Sequence, residues 1–326
     1  MTGVVVLEKI KKEWFLLGML SAIALSFLSP EVGRSGGWLQ LDKFTQLGIA
    51  VIFFLHGIHL SPAKLKQGIS NWPLHLLIQL TTFVVYPLIW VVSANGLNAI
   101  FPSALALGFC YLFALPGTVS SSVAMTNLAK GNVPGAIFNA SLSSVIGVAL
   151  TPLLLELLTG EASESMPLIE TILSITKIIL VPMIIGQLSR PLLSSILNNY
   201  RNVINRIDKL VIIFIVFNAF SDAVVEDVWK SFSLSTLSLC IIVCLVVIFF
   251  ITHFIRRTAQ YFNMHRDDEI AALFCGTKKT LSAGIPMAKV IFSANPNLGM
   301  ILLPIMLYHP IQLFYCSVIA RKYEKT

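Results

Sequence analysis

The sequence has 326 residues, of which 56 % are hydrophobic and only 12 % are charged. Soluble domains carry nearer a quarter of charged residues, so the composition excludes an ordinary soluble protein and indicates a membrane protein. At about 20 residues per transmembrane helix plus short loops, the chain has room for about ten spans. That number excludes a single-pass receptor and a peripheral enzyme.

Ten apolar segments follow one another along the chain, separated by short polar or Gly/Pro-containing joints. They lie near residues 14–29, 44–61, 72–94, 101–127, 133–158, 167–189, 208–224, 233–255, 269–293 and 298–320. No change of composition marks a separate soluble domain. The sequence therefore predicts an all-α polytopic membrane protein of ten transmembrane helices, with residues 1–326 forming one membrane domain.

The basic residues predict the orientation of these spans. With a cytoplasmic N-terminus, sixteen Lys and Arg residues fall on the cytoplasmic side, and only Arg34, Lys43 and Lys230 fall on the other. Such an excess is typical of cytoplasmic loops. We therefore expect a cell-membrane protein (inner membrane in a Gram-negative cell) with both termini cytoplasmic. The net charge of +7 reflects this topology, and we expect no nucleic-acid partner.

Two parts of the chain resemble each other in a way that predicts an internal repeat. Residues 117–130 and 276–289 both begin with Gly-Thr and end with Ala-Lys, at a constant offset of 159 (276 − 117). The spans that contain them, four and nine, are five helices apart, and an odd number of spans inverts the second copy. The pattern predicts an inverted 5+5 repeat over residues of about 12–160 and 167–321. The alternative is chance similarity between apolar segments.

Helix-breaking residues interrupt spans four and nine. The candidate break residues are Pro116 and Gly117 in span four, and Gly276, Gly284 and Pro286 in span nine. Proline removes a backbone donor and glycine loosens a helix, so main-chain polar groups should open towards a cavity at both places. Paired broken helices in the two halves of a chain point to the substrate site of a transporter.

Lys278 and Lys279 lie inside span nine, where a lysine costs on the order of 3 kcal/mol to insert. Several groups could hold them: the carbonyls of the broken helices, the hydroxyls of residues 120–122, an anionic substrate, or deprotonation of one amine. The alternative is a shallower helix with both lysines in a water-filled vestibule. Either arrangement places the two lysines in a pathway.

Other polar side chains inside the spans could complete a binding site. The candidate set for substrate or ion binding is Gln79, Ser120, Ser121, Ser122, Asn139, Ser143, Thr277, Lys278, Lys279 and Thr280. Hydrogen bonding between helices explains Gln79, Asn139 and Ser143 equally well. A structural role is favoured for Lys177, Gln187, Asn218 and His309. The sequence contains no catalytic motif and no metal-ligand spacing, so we expect no enzyme activity, no metal and no cofactor.

Two motifs resemble those of a known family. They are residues 115–118 (Leu-Pro-Gly-Thr) with residues 126–132 (Thr-Asn-Leu-Ala-Lys-Gly-Asn), and residues 274–281 (Phe-Cys-Gly-Thr-Lys-Lys-Thr-Leu) with residues 283–286 (Ala-Gly-Ile-Pro). The first resembles the signature of the bile acid:sodium symporter superfamily. The second is similar to its SBF-like branch, which includes the seventh vertebrate member of solute carrier family ten and bacterial relatives.

The resemblance implies a panel domain and a core domain, with helices four and nine unwound where they cross. In sodium-coupled members, hydroxyl and amide groups of helices four and five and a glutamate of helix nine hold the ions. The matching positions here fall near Gln79, Ser121, Ser122, Asn139 and Ser143. The glutamate is absent, and residues 277–279 stand in its place. A lysine ammonium at this position could act as a permanent surrogate for the cation or could carry a proton.

These observations predict a secondary transporter of a small organic anion, with alternating access around helices four and nine. Sodium coupling of the usual type is not expected, and sodium and a proton stay open as coupling ions. The alternative is a membrane regulatory protein of the same fold that affects calcium homeostasis without net transport. Substrate identity and oligomeric state cannot be read from the sequence.

Overall fold

A computed structural model describes residues 14–59, 68–159, 168–199, 201–225, 227, 233–293 and 295–325. All regular secondary structure in these ranges is helical. The helices are α1 (Trp14–Leu28), α2 (Pro30–Gly33), α3 (Leu41–His59), α4 (Trp72–Ile100), α5 (Ser103–Ala114), α6 (Ser120–Leu128), α7 (Val133–Thr159), α8 (168–199), α9 (Arg201–Val225), α10 (Leu234–Tyr261), α11 (Arg266–Gly276), α12 (Leu281–Ile291) and α13 (Leu298–Lys325).

Five of the described helices are long and apolar enough to cross a membrane by length and composition alone. They are α4, α7, α10, α13 and the segment Ile172–Leu193 of α8. An all-helical chain with several such helices is a multi-pass membrane protein. Every predicted apolar segment coincides with one described helix or with a consecutive pair. The pairs are α5 with α6 and α11 with α12, which correspond to predicted spans four and nine.

The first broken pair is interrupted over residues 115–119, between the end of α5 and the start of α6. Leu115 is extended (φ −67°, ψ 150°), as expected for a residue that precedes a proline. Pro116 has no N–H to continue the helical ladder. Pro116 and Gly117 lie in this break, and Ser120 to Ser122 form the first turn of α6.

The second broken pair is interrupted over residues 277–280. Gly276 is the last residue of α11, and Thr280 caps α12 by accepting a hydrogen bond from the N–H of Ala283 at 3.3 Å. Gly284 and Pro286 do not belong to this break, contrary to the expectation from sequence, because both lie within α12. Once the Thr280 cap has started α12, a proline six residues after the cap removes only one ladder bond.

Helix α7 carries small and polar residues at every fourth position, and these face the first break. The Thr151 hydroxyl donates to the carbonyl of Ala114 (3.0 Å), and the Ser143 hydroxyl accepts from the N–H of Gly117 (2.9 Å). Between them lies Gly147, where a Cβ atom would stand 2.7 Å from the ring of Pro116. The close approach that glycine permits therefore lets the first break pack directly against α7.

Candidate functional site

The two breaks touch each other. The N–H of Thr280 donates to the carbonyl of Pro116 at 3.0 Å. A Cβ atom on Gly117 would stand 3.2 Å from the carbonyl oxygen of Cys275. Main-chain groups that would be unpaired in the two interrupted helices thus pair across the crossing, which satisfies the requirement that buried backbone polar groups find partners.

Lys279 is fully buried at this crossing. Its ammonium donates to three main-chain carbonyls: Thr82 (2.9 Å), Phe113 (2.9 Å) and Leu115 (2.6 Å). An ammonium has three protons, so these three bonds saturate it. We call the three carbonyls the carbonyl cage. Two of them belong to the C-terminal end of α5 and its continuation, where the helix dipole also favours a cation.

Prolines explain why these carbonyls are available. In α4 a π turn spans Thr81–Val85, and the N–H of Tyr86 donates to the carbonyl of Thr81. The next residue, Pro87, has no N–H to offer to Thr82. The N–H of Gly117, which would pair with Phe113 in a continuous helix, donates to Ser143 instead. The sequence therefore leaves carbonyls of two helices without their usual N–H donors at the place where the cage forms.

The main chain of Lys279 is also fixed. Gln312 of α13 accepts from its N–H (2.8 Å) and donates to its carbonyl (2.8 Å). The Tyr86 ring lies 4.0 Å from the ammonium, as measured to the ring centroid, which is a favourable cation–π distance. Every described group that contacts this ammonium is neutral, so carbonyl dipoles and the Tyr86 ring stabilise the buried positive charge.

Lys278 is held much less completely than Lys279, although it is equally buried. Its ammonium donates to one carbonyl, that of Ser121, at 2.8 Å. The ring of Phe274 lies 5.6 Å away. Among the described residues no second acceptor is within hydrogen-bonding distance of this ammonium. Two of its three protons are therefore available to a further acceptor.

Hydroxyl groups surround the carbonyl that Lys278 uses. Thr118 shares hydrogen bonds with the hydroxyls of Ser121 (2.8 Å) and Ser122 (2.7 Å), and Ser122 donates to the carbonyl of Phe274 (2.8 Å). This hydroxyl cluster connects the start of α6 to the end of α11. Thr277 contributes its carbonyl, which accepts from the phenols of Tyr86 and Tyr308 (2.8 and 3.0 Å).

Gln79 and Asn139 form a separate pair. The Gln79 amide donates to both the main-chain and the side-chain oxygen of Asn139 (3.1 Å each). The Asn139 amide is within 2.9 Å of Nδ1 of His75 and donates to the carbonyl of Gly135 (3.0 Å). Neither Gln79 nor Asn139 contacts the two lysines. Of the predicted binding residues, seven meet at the crossing: Ser121, Ser122, Ser143, Thr277, Lys278, Lys279 and Thr280. Ser120 is instead exposed on the surface of α6.

Sequence reasoning named the carbonyls of the broken helices as one candidate for holding the lysines, and two of the three carbonyls that bind Lys279 are of this kind. It did not identify Tyr86, Gln312 or the Thr82 carbonyl of α4, because a main-chain carbonyl has no side-chain signature. One available signal was Pro87, since a proline inside an apolar helix frees a carbonyl one turn earlier. The π turn itself follows from packing and is not visible in the sequence.

The comparisons with known proteins agree with the architecture. The sequence model of the SBF-like CPA transporter family matches residues 13–325. The chain is 37 % identical over 311 residues to an uncharacterised protein of Pseudomonas aeruginosa, with 95 % of this chain and 92 % of the relative covered. It is 34 % identical, with the same coverage, to Escherichia coli YfeH, provisionally named a symporter. It is 33 % identical over 323 residues to sodium/bile acid cotransporter 7 of Xenopus tropicalis (96 % and 92 % covered).

The family match covers both broken pairs and all the described helices, and the relatives cover nearly their whole length. The family model and two of these three relatives carry transporter or symporter names. The chain therefore belongs to the SBF-like CPA transporter family, a family of membrane transporters and not of enzymes.

Proposed function

We propose that this protein is a secondary transporter of a small organic anion, with alternating access around the crossing of the two broken pairs. The observation that carries the proposal is the unequal treatment of two adjacent buried lysines. Lys279 is saturated by the carbonyl cage, whereas Lys278 uses one carbonyl and keeps two protons free for a ligand. A buried cation with spare donors is the natural partner of a carboxylate or a similar anion.

Lys279 takes the place of a coupling cation in this proposal. Three carbonyls around an ammonium resemble the oxygen shell that a sodium ion needs, and the ammonium never leaves. A sodium ion at about 4 Å from it would meet a repulsion of about 4 kcal/mol at an effective dielectric constant of 20. Substrate binding should therefore not depend on sodium, and a proton gradient is the alternative source of energy.

The exposed face of α6 supports a water-lined pathway. Ser120, Ala124, Asn127 and Leu128 are exposed at helical spacing on this face, and all but Leu128 are small or polar. A face in contact with lipid would be apolar. The lipid bilayer surrounds the outer helices, and α6 would border an aqueous vestibule that leads to the hydroxyl cluster.

The transport cycle would involve ten spans arranged as an inverted 5+5 repeat. The broken pairs α5/α6 and α11/α12 would form the core domain, and other helices the panel domain. Lys289 of α12 supports this division, because its ammonium donates to the Thr45 hydroxyl of α3 (2.7 Å) and to the side-chain oxygen Oδ1 of Asn218 in α9 (2.8 Å). Such contacts between core and panel would close one side. Both termini would be cytoplasmic, which reporter fusions at the C-terminus would test.

The test begins with thermal stabilisation of the purified protein by bile acids, dicarboxylates, sulfonates and organic phosphates, because a ligand of the folded state raises its melting temperature. Uptake of the stabilising anion into proteoliposomes follows, with sodium or choline outside and with or without a proton gradient. Lys278→Met should abolish both signals. Lys177→Met, which changes an exposed lysine within α8, is the matched control.

Two results would contradict the proposal. If no anion stabilises or enters, the organic-anion function is wrong. If low-millimolar sodium stabilises the wild-type protein and uptake requires it, Lys279 does not replace the cation.

A further inference from the structure

We propose that Lys209, His309 and Lys278 form a cationic access route by which anions reach the crossing from the end of the molecule that carries α1 and the start of α9. The proposal rests on the proposed function and deepens it, because it names the residues that select negatively charged substrates before they reach Lys278. None of the three has a carboxylate partner among the described residues.

The hydrogen bonds of Gln312 define the state of His309. The side-chain oxygen Oε1 of Gln312 accepts a hydrogen bond from the main-chain N–H of Lys279. The other end of the same side-chain amide is therefore the NH₂ group, which can only donate. That nitrogen donates to the carbonyl of Lys279 and also faces Nδ1 of His309 at 3.0 Å. Nδ1 is therefore an acceptor without a proton, and the neutral ring carries its proton on Nε2. His309 thus presents an N–H donor whose orientation is fixed by the residue that holds Lys279.

Aromatic contacts connect this ring to Lys209. The Lys209 ammonium lies 5.4 Å from the ring centroid of Trp14 and 5.6 Å from that of Phe15. Phe15 in turn meets His309 edge-on, with 6.4 Å between ring centroids. His309 in turn lies 3.0 Å, through Nδ1, from the side-chain amide nitrogen of Gln312, which is hydrogen-bonded to the main chain of Lys279, the neighbour of Lys278. The three groups therefore follow one another from α9, past α1 and α13, to the crossing.

The electrostatics of this line favour an anion. Trp14, Phe15, Lys209 and His309 are all half-buried, so the outer part of the line is partly exposed, whereas Lys278 at its inner end is fully buried. Cations at both ends and a neutral donor between them attract an anion and repel a cation.

The test measures the access of charged reagents to the inner end of the line. Ser121→Cys places a thiol beside the carbonyl that Lys278 uses, and the five natural cysteines are buried. The full-length variant is treated with anionic sulfonatoethyl, cationic trimethylammonioethyl or neutral methyl methanethiosulfonate. For each reagent, the rate of reaction with the protein thiol is divided by the rate of reaction with a free thiol in solution. The parent protein without Ser121→Cys gives the background.

The anionic reagent should react faster than the cationic one. Lys209→Gln should lower the ratio of anionic to neutral rates about twofold, which is the effect of one charge on an anion that passes it at about 10 Å at the dielectric constant of water. His309→Leu should lower this ratio more than His309→Asn. Lys130→Gln, which removes an exposed lysine, should leave it unchanged. The neutral reagent reports any distortion of the fold.

Failure of this route can be separated from failure of transport. An anionic preference that Lys209→Gln leaves intact, a preference for the cationic reagent, or no reaction with any reagent would overturn the route. Transport in proteoliposomes would then proceed by another path. Conversely, a protein that transports no tested anion but has the charge selectivity described would keep the route and lose the proposed function.

Discussion

Replacing each of the two adjacent lysines by methionine separates the structural role of Lys279 from the binding role of Lys278. Lys279→Met removes the ammonium from three buried carbonyls, whereas Lys278→Met removes it from one. Methionine keeps the length and most of the volume of lysine, so the two variants differ mainly in the polar groups that they leave unpaired. The expected result is a large loss of stability in the first and a small one in the second.

The magnitude follows from the number of bonds. A buried carbonyl without a partner costs about 1–3 kcal/mol, which gives about 3–9 kcal/mol for the carbonyl cage. Hydrogen bonds between membrane helices average about 0.6 kcal/mol, which sets a lower bound of about 2 kcal/mol. Removal of a buried charge offsets part of this loss. We therefore expect Lys279→Met to lower the free energy of unfolding by about 2–5 kcal/mol, and Lys278→Met by about 1 kcal/mol.

The assay is thermal unfolding in detergent together with reversible unfolding in bicelles, with Lys177→Met as the control. Lys278→Met should keep a melting temperature near that of the control and lose anion binding. Equal destabilisation by the two lysine variants, or a larger effect of Lys278→Met, would refute the assignment of Lys279 to the cage. A loss below about 1 kcal/mol for Lys279→Met would refute the cage as a source of stability.

Three further predictions concern the surroundings of the crossing. Gly147→Ala should lower the free energy of unfolding by about 1–3 kcal/mol, because the added Cβ would stand 2.7 Å from the Pro116 ring. The control Gly96→Ala, which has open space around it, should be neutral or slightly stabilising in the same melting assay. Pro87→Ala supplies an N–H that competes with Lys279 for the Thr82 carbonyl, so it should reduce the melting temperature or anion uptake instead of giving the stabilisation expected for Pro→Ala within a helix; an increase in both would contradict our account of the cage. Lys289→Met removes two hydrogen bonds between α12 and its neighbours α3 and α9. Amide hydrogen exchange in residues 281–291 should then accelerate roughly tenfold, which corresponds to a loss of about 1.4 kcal/mol. Lys130→Met, at the corresponding position of the proposed repeat, should leave that exchange unchanged.

The sequence alone was informative about the helices and about where they are interrupted. Apolar segments of span length coincide with every described helix except the short α2, because membrane insertion imposes a strong and local hydropathy pattern. The Leu-Pro-Gly-Thr motif at 115–118 placed the first break, since the missing N–H of a proline is a local property of the chain. The second break was predicted too long, through Gly284 and Pro286, because a helix whose first turn is capped tolerates both residues.

Only the tertiary structure decided which of the two lysines is saturated. Lys278 and Lys279 are the same residue type in the same break, and the sequence required only that something hold them. The carbonyls that hold Lys279 come from positions 82, 113 and 115, on two helices that are distant in sequence from α11 and α12. A main-chain carbonyl is present at every residue, and whether it is free depends on the packing of neighbouring helices. The sequence therefore determined that two lysines lie at the crossing, and the fold decided which of the two ammonium groups keeps free donors.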